Sequence, residues 1–528
     1  MKERILILGA GFLQGPAIRI AQDLGLEVTA VDGNPDAPCA AWADRFEAID
    51  LKDKERIEAL ARKLKALPGG LSGVMTCGTD FSAPVAWVAE RLGLPGIPYE
   101  AALAASDKAL MRRVFADAGV PSPAFTVCGA PPEAPPAFGF PVVVKPCDNM
   151  GGRGCRKAGS LDALRCAVSE ALPFSRSGRV IVEEYMDGPE FSADALVYDG
   201  KITLCGLADR HIFFPPYFVE MGHTMPTNLE AGRAEALCQA FYQGIRALGI
   251  TRGAAKGDLK LTAKGPMIGE IAARLSGGFM SGWTYPYSSG VEPIRGAIRI
   301  AIGRDPGSLA PTRAYTSAER AFISLPGKIR AIEGVERARA VPGLREFSLR
   351  VSAGSRVSFP ENNVSKCGNA VSCRERRDDA IFAAEEAARR VLIRLEAPDP
   401  ETAAFLAKLP SQAPTFPPDA FSVSWRCIEA VSALPPEAPD LAERIARGEK
   451  PLILEAAEVL ASGARDIVGR GVEESLESVR ALTGLALPLT ASPGGAPAFA
   501  RGFWQALLRG GYQGAAYLVD LLGAQKDP

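Results

Sequence analysis

The chain opens with an apolar run, Ile5-Leu6-Ile7-Leu8, that stops at a glycine-rich turn, Gly9-x-Gly11-x-x-x-Gly15. A short unbroken apolar run bounded by glycine reads as a buried strand, and the turn after it leads into a helix. Leu26 to Asp32 reads as a second strand, Gly73 to Cys77 as another, and Phe81 to Leu92 as a helix. This alternation predicts an open α/β domain over residues 1–105. Ser106-Asp107-Lys108 starts the next helix, with Ser106 as its expected cap, and Gly119-Val-Pro121 ends it. Phe140 to Lys145 is a β-branched strand, and hairpin-like strands are predicted at 180–186, 191–198 and 201–207. Gly253 to Glu270 reads as two strands joined by Thr262-Ala-Lys-Gly265. Residues 314–395 alternate short strands and end in a helix from Asp378 to Leu395. A Pro-rich stretch at 397–419 reads as a linker, and 420–528 is mostly helical by pattern. No internal repeat is present. The expected fold class is a multidomain mixture of α/β and α+β, divided at 1–105, 106–310, 311–396 and 420–528.

Composition narrows the function. A length of 528 residues is too much for one core. Lys plus Arg (60) nearly balance Asp plus Glu (61), so no global basic field exists to recruit nucleic acid, and anions must be held locally. Eleven cysteines without a CxxC pair, and an N-terminal apolar run too short for a secretory signal, point to a reducing cytoplasm. No stretch approaches the ~20 apolar residues that span a bilayer. With only His211 and His223 available, a His-rich zinc site is excluded; metal chemistry falls to carboxylates, which favours Mg²⁺.

Two glycine loops invite anions. The first, Gly9 to Gly15 with Asp32 closing the next strand, mimics a dinucleotide fingerprint, although its third glycine comes one residue late. NAD(P) binding and a purely structural tight turn both remain open on this motif alone. The second, Cys147-Asp-Asn-Met150-Gly151-Gly152-Arg-Gly154, offers small residues whose amides can close over phosphate oxygens. Lys108 at a helix start and Lys145 at a strand end can neutralise a polyphosphate as compact point charges. In Val180-Ile-Val-Glu183-Glu184-Tyr185-Met186-Asp-Gly188-Pro-Glu190, a strand enters a short linker that can present adjacent backbone groups to an adenine edge, with Glu190 in reach of ribose hydroxyls. Asp258 and Glu270, on antiparallel strands, can face one side and hold a hard cation through oxygen. Arg274 can stabilise charge on a transferring phosphoryl group.

In this order the segments resemble the ATP-grasp superfamily of carboxylate-amine and carboxylate-thiol ligases, over about residues 1–395. Glu183 to Glu190 matches the Glu-x-x-x-x-Gly-Pro-Glu pattern of D-alanine ligases, and the region around Asn363 and Gly368 is similar to the C-terminal module of amino-acid ligases and biotin carboxylases. The resemblance implies an ATP-grasp fold with an N-terminal α/β domain and a helical C-terminal extension. It implies ATP and Mg²⁺ as cofactors, with Lys108 and Lys145 on the phosphates and the Met150–Cys155 loop, including Gly151, Gly152 and Gly154, closing over them. Glu183 and the backbones of Glu184 and Met186 would hold adenine, Glu190 the ribose, and Asp258 and Glu270 the metal. Lys145 and Arg274 would be the catalytic cations, and the first glycine loop, Gly11 included, would face substrate rather than NAD. One departure stands out: the family's Glu-x-Asn-x-Arg is Glu270-Ile-Ala272-Ala273-Arg274 here, and Ala272 cannot ligate a second metal.

The implied activity is an ADP-forming ligation through an acyl phosphate, acting on a small carboxylate and a nucleophile. The alternatives are a biotin carboxylase-like enzyme that phosphorylates bicarbonate and a non-catalytic nucleotide-binding regulator. Arg210 is a candidate clamp for a substrate carboxylate, and His223 a candidate to orient or deprotonate the nucleophile. Residues 420–528 read as a packing or oligomerisation element compatible with a homodimer; a stretch around Phe503–Leu522 facing a partner or a membrane surface is the alternative, weakened by Asp520 and several glycines.

Overall fold

The computed structural model describes residues 2–408, 410–411, 415–434, 463–484 and 501–524. It divides into two compact units, residues 1–319 with 373–380, and residues 320–372 with 381–528.

The first unit begins with strands β1 (Arg4–Leu8), β2 (Glu27–Asp32), β3 (Arg45–Ala48) and β4 (Leu71–Met75), with helices α1 (Gly15–Asp23), α2 (Lys54–Ala66) and α3 (Ser82–Leu92) between and after them. The sheet is parallel in the order β3-β2-β1-β4. β1 is buried on both faces, which is why its sequence shows no alternation. Helix α4 (Tyr99–Ser106) leads into α5 (Lys108–Asp117). The cap of α5 is Asp107, not Ser106: its carboxylate accepts the amides of Ala109 and Leu110, while Ser106 closes the preceding helix. A carboxylate favoured at the positive end of a helix outcompetes the hydroxyl beside it.

Two sheets follow. β5 (Phe125–Cys128), β6 (Val142–Pro146), β7 (Arg156–Ala158) and β8 (Val180–Glu184) form a small antiparallel sheet, order β5-β8-β6-β7, backed by α6 (Leu161–Ala171). β9 (Glu190–Tyr198), β10 (Lys201–Phe213), β11 (Val219–Met225), β12 (Gly253–Thr262) and β13 (Gly265–Ala272) run side by side in the order β13-β12-β9-β10-β11. Thus 180–186 and 191–198 do not form a hairpin; Tyr185 to Pro189 carries the chain from one sheet to the other. Helix α7 (Ala231–Ala247) packs Phe241 and Ile245 against Ile268 and Ile271 of β13. Gly257 permits this closeness, since a Cβ there would stand 2.7 Å from the Phe241 ring.

In the second unit, strand Gly327–Glu333 pairs with Arg356–Val357 and Leu392–Leu395. The helix expected to run to Leu395 stops at Arg390, and its tail pairs as a strand. Within the expected linker, Pro400–Leu406 is helical, with Asp399 as cap and Pro400 in the first turn; residues 409 and 412–414 of that stretch lie outside the described residues. Helix Arg501–Ala524 buries Phe503, Leu507, Leu508 and Ala515 against helices Trp425–Ser432 and Val472–Thr483, and Asp520 pairs with Arg394 at 2.5 Å. Its apolar face is therefore spent inside its own unit. The remainder of the 420–528 extension, 435–462, 485–500 and 525–528, lies outside the described residues. Among the described residues, no helix is long and apolar enough to cross a membrane.

Candidate active site

The candidate site lies wholly in the first unit. β6 carries the Val142-Val143-Val144 run, buried by α6 on one side, and delivers Lys145 at its end. Lys145 Nζ meets Glu183 Oε2 at 2.7 Å across the adjacent strand β8, and Glu183 Oε1 meets Arg112 Nε at 2.7 Å. Glu183 and Arg112 are each 1% exposed. Burial pushes the Glu183 carboxyl up, but Arg112 and Lys145 override it and hold it at about 2. Glu183 is therefore a fixed anion that aims Lys145. Its carboxylate is not available to an adenine, which leaves only its backbone for the edge contact expected of it. Burial disfavours the Lys145 ammonium, yet Glu183 raises its pKa above the ordinary lysine value.

Lys108, first residue of α5, donates to the carbonyl of Asn149 at 2.9 Å and lies 3.2 Å from Glu270 Oε1. It thus touches both the second glycine loop and the expected metal strands. In that loop Gly151, Gly152 and Gly154 have φ of 71°, 76° and 69°, a region that side chains with a Cβ seldom adopt. A Cβ at Gly154 would also meet Phe174 and Pro146 at 3.0 Å.

Between the sheets, the Met186 carbonyl accepts Lys260 Nζ at 2.9 Å, and Lys260 also pairs with Glu190 at 3.0 Å. Glu184 pairs with Lys264. The Tyr185 ring has Lys157 Nζ 3.6 Å from its centroid and Lys260 at 5.0 Å. Asp258 and Glu270 are direct cross-strand partners, so their carboxylates share a face. Among the described residues no cluster of three or more His, Cys, Asp or Glu side chains is suited to a metal. A carboxylate pair still suits Mg²⁺, which takes most of its six oxygens from phosphate and water. Ala272 adds no donor.

Three expectations change with the geometry. Arg210 contacts Glu220 at 2.6 Å, Asp258 at 3.0 Å and Glu190 at 3.4 Å, so its guanidinium already has three carboxylate partners, which weighs against a substrate clamp. His223 lies buried between Glu220 (3.2 Å) and Glu319 (3.1 Å). Burial opposes its charge, but the two carboxylates raise its pKa to about 9. As an imidazolium at neutral pH it has no lone pair with which to deprotonate a nucleophile. In the first glycine loop, Asp32 Oδ2 accepts the amide of Ala10 at 2.9 Å and Oδ1 that of Asn34, and the Gln14 side chain folds against Gly9 and Gly11. Asp32, which would read a dinucleotide ribose, is used to tie the turn, which weighs against the NAD(P) reading.

Arg274 holds Asp80 through two nitrogens at 2.6 and 2.5 Å. Asp80 was not anticipated, although its place just beyond the carboxyl end of β4 is where open α/β sheets put functional groups. Arg112 had a signal too: it follows Lys108 by four residues on α5, one helical turn away on the same face. Asp194, fully buried in β9, accepts Ser276 Oγ at 2.5 Å and Ser281 Oγ at 2.6 Å. It thereby pins the turn after Arg274, in which Phe279 adopts φ 67° and Met280–Thr284 form one π-helical turn. Nothing in the local sequence announces that pairing across 82 residues.

The geometry thus brings two lysines beside a glycine loop, and a carboxylate pair on the neighbouring sheet with an arginine following it. Family models match at residues 18–96 (ATP-grasp N-terminal domain), 138–282 (ATP-grasp domain) and 320–396 (L-amino acid ligase C-terminal domain 2). A D-alanine–D-alanine ligase of Gloeobacter violaceus is 30% identical over 273 residues, covering 49% of this chain and 82% of that enzyme. Carnosine synthase 1 of Gallus gallus is 26% identical over 402 residues, covering 69% of this chain; the chain spans only 43% of that relative's length. The crystal structure of an L-amino acid ligase from Bacillus licheniformis shares the fold, with a TM-score of 0.66, 20% identity, and coverage of 75% of this chain and 99% of that one. The chain belongs to the ATP-grasp superfamily. It is an ADP-forming ligase that uses ATP and Mg²⁺.

Proposed function

We propose that the enzyme activates a carboxylate as an acyl phosphate and passes the acyl group to an amine or similar nucleophile, releasing ADP and phosphate. The observation that carries this reading is the order of charges along the site. Lys145 is fixed by Glu183, and Lys108 joins the glycine loop to Glu270. Beyond them, Asp258 and Glu270 share a face of the large sheet. Lys108, Lys145 and the Met150–Cys155 amides would bind the polyphosphate, and the Tyr185–Glu190 linker the nucleoside. Asp258 and Glu270 would hold Mg²⁺, which when bound offsets charge on the phosphate oxygens. Arg274, oriented by Asp80, would stabilise the terminal phosphoryl group as it moves to a carboxylate oxygen. His223 and Arg210 act as scaffold, keeping Glu220, Glu190 and Asp258 in register. The ligases named above join amino acids, which supports an amine as the acceptor.

A screen for ADP release, with pooled amino acids and small carboxylates as acids and amines as acceptors, tests the reading. Release that requires both an acid and an amine is the expected result. Release with bicarbonate alone would move the enzyme to the carboxylase branch, and none with any pool, beside intact ATP binding, would make it a regulator.

A further inference from the structure

Beside the phosphate end of the site lies a cavity of about 300 Å³, large enough for a small organic acid. One wall holds Lys108, Met150 and Glu270, where the reacting carboxylate would be activated. The same cavity is also lined by Lys52 and Lys54, from the turn that opens α2. Phe81, Pro84 and Leu103 lie among the residues lining the space, an apolar surface suited to a carbon skeleton.

The charges on this cavity do not cancel. Three of its acids are paired with cations, Asp80 with Arg274, Asp107 with Arg179 and Glu270 with Lys108; Asp148, held by the Ser175 hydroxyl and the amides of Arg176 and Ser177, keeps its charge, which Arg176 on the same lining offsets, leaving the two lysines in excess. Among the described residues Lys54 Nζ has no carboxylate; it sits 4.0 Å from the centroid of Trp87 and 3.3 Å from the Tyr99 hydroxyl, contacts that hold the ammonium without neutralising it. Among the described residues, the Lys52 side chain makes no ion pair. Two cations without a carboxylate partner thus line the same cavity as Lys108 and Glu270. The nucleotide's phosphates already have Lys108, Lys145 and the glycine loop, so the surplus is left for another anion.

We propose that Lys52 and Lys54 form a subsite for a second anionic group on the acid being activated, so that the substrate class is a small acid carrying, besides the reacting carboxylate, a further carboxylate or phosphate. This rests on the acyl-phosphate reading above. The reacting carboxylate lies at the Glu270 end, the carbon chain along the apolar surface, and the second anion at the lysines.

Paired probes test it by calorimetry on the full chain with Mg-ADP: succinate against butyrate, and phosphoserine against serine. The doubly charged member of each pair binds about tenfold tighter or more, equivalent to one good charge-assisted contact. Lys52→Ala/Lys54→Ala abolishes that preference while ADP affinity stays within about twofold, and Lys54→Arg retains it. Should the double variant fold poorly, Lys52→Gln, at an exposed position, reduces the same preference. Succinate preferred over phosphoserine marks a dicarboxylate, and the reverse a phosphorylated acid. Equal binding within both pairs, a preference that survives the double variant, or a loss of ADP affinity in it would overturn the subsite. If the charge preference holds but no acid supports ADP release, the ligase reading fails and the anion subsite stands. If ADP release proceeds with no charge preference in binding, the subsite alone fails.

Discussion

Two buried charge clusters lie in the first unit, and they are built differently. Around Glu183, one carboxylate serves two cations, Arg112 and Lys145, with Lys108 nearby on Glu270. That cluster is cation-rich, three cations against two carboxylates. Around Arg210 and His223, the acids Glu190, Glu220, Asp258 and Glu319 are matched by those two residues and by Lys256 and Lys260. That cluster balances its charges, four acids against four cations when His223 is protonated. A buried cation surplus calls for an anionic ligand, whereas a balanced network serves as scaffold. Polar residues of similar appearance in the sequence therefore differ in charge balance, with Glu190 and Asp258 shared between the Arg210 network and the proposed nucleotide and metal site.

The largest effect expected is at the border between the clusters. Glu270→Gln removes the carboxylate charge that would hold Mg²⁺ and is expected to lower kcat by about 10²–10³-fold. Its side chain is 32% exposed, so the melting temperature stays close to that of the parent. A combination of turnover assays and calorimetry separates the two readouts, and near-parental turnover would contradict the metal assignment. Next is Arg112→Met, which leaves the Glu183 carboxylate with one partner in a buried setting and costs about 3–5 kcal/mol of stability. Urea unfolding measures it, and a cost below ~1 kcal/mol would mean that the cluster is not the coupled unit described here.

Lys145→Ala, at the cation-rich cluster, raises the KM for ATP by about tenfold, in line with ~1.5 kcal/mol for a charged hydrogen bond. An effect on stability alone would transfer Lys145 to the scaffold.

The balanced cluster is read best through pH. The His223 pKa is raised to about 9, so its stabilising contribution is complete below the ordinary histidine value near 6.5 and disappears as pH rises through about 9. The parent should lose melting temperature across that window by about 2 °C or more relative to His223→Gln. Parallel profiles for the two proteins would mean that His223 is neutral in the fold. The smallest effect is expected outside both clusters. Lys264→Ala breaks the surface pair with Glu184, where the lysine side chain is 69% exposed, and shifts stability by no more than ~0.5 kcal/mol with the KM for ATP unchanged.

Local signals made much of this legible. The β1 run, the Gly151–Gly154 loop and the Thr262–Gly265 hairpin each carry their reason within a few residues, through burial, positive φ or turn chemistry. Asp258 and Glu270 were legible as residues of one hairpin, but their direct pairing depends on a bulge between Asp258 and Leu259 that the sequence pattern does not announce. Long-range pairing was not legible: Arg210 and His223 looked like reactive groups because Glu220 and Glu319 were not visible as their partners. Ser106 looked like a cap because hydroxyl and carboxylate stand side by side, and only the geometry chooses Asp107. The 180–198 segment looked like a hairpin because sequence pattern records strands but not which sheet each one joins. The first glycine loop was ambiguous for a further reason: whether its acceptors are free depends on Gln14 and Asp32 folding back on it.

The central claim is that the terminal phosphoryl group moves to a carboxylate oxygen. Hydroxylamine trapping tests it most directly, with Mg-ATP and an accepted acid present and the natural amine withheld. The account predicts an acyl hydroxamate formed in proportion to ADP and abolished in Glu270→Gln. AMP and pyrophosphate as the stoichiometric products would contradict it.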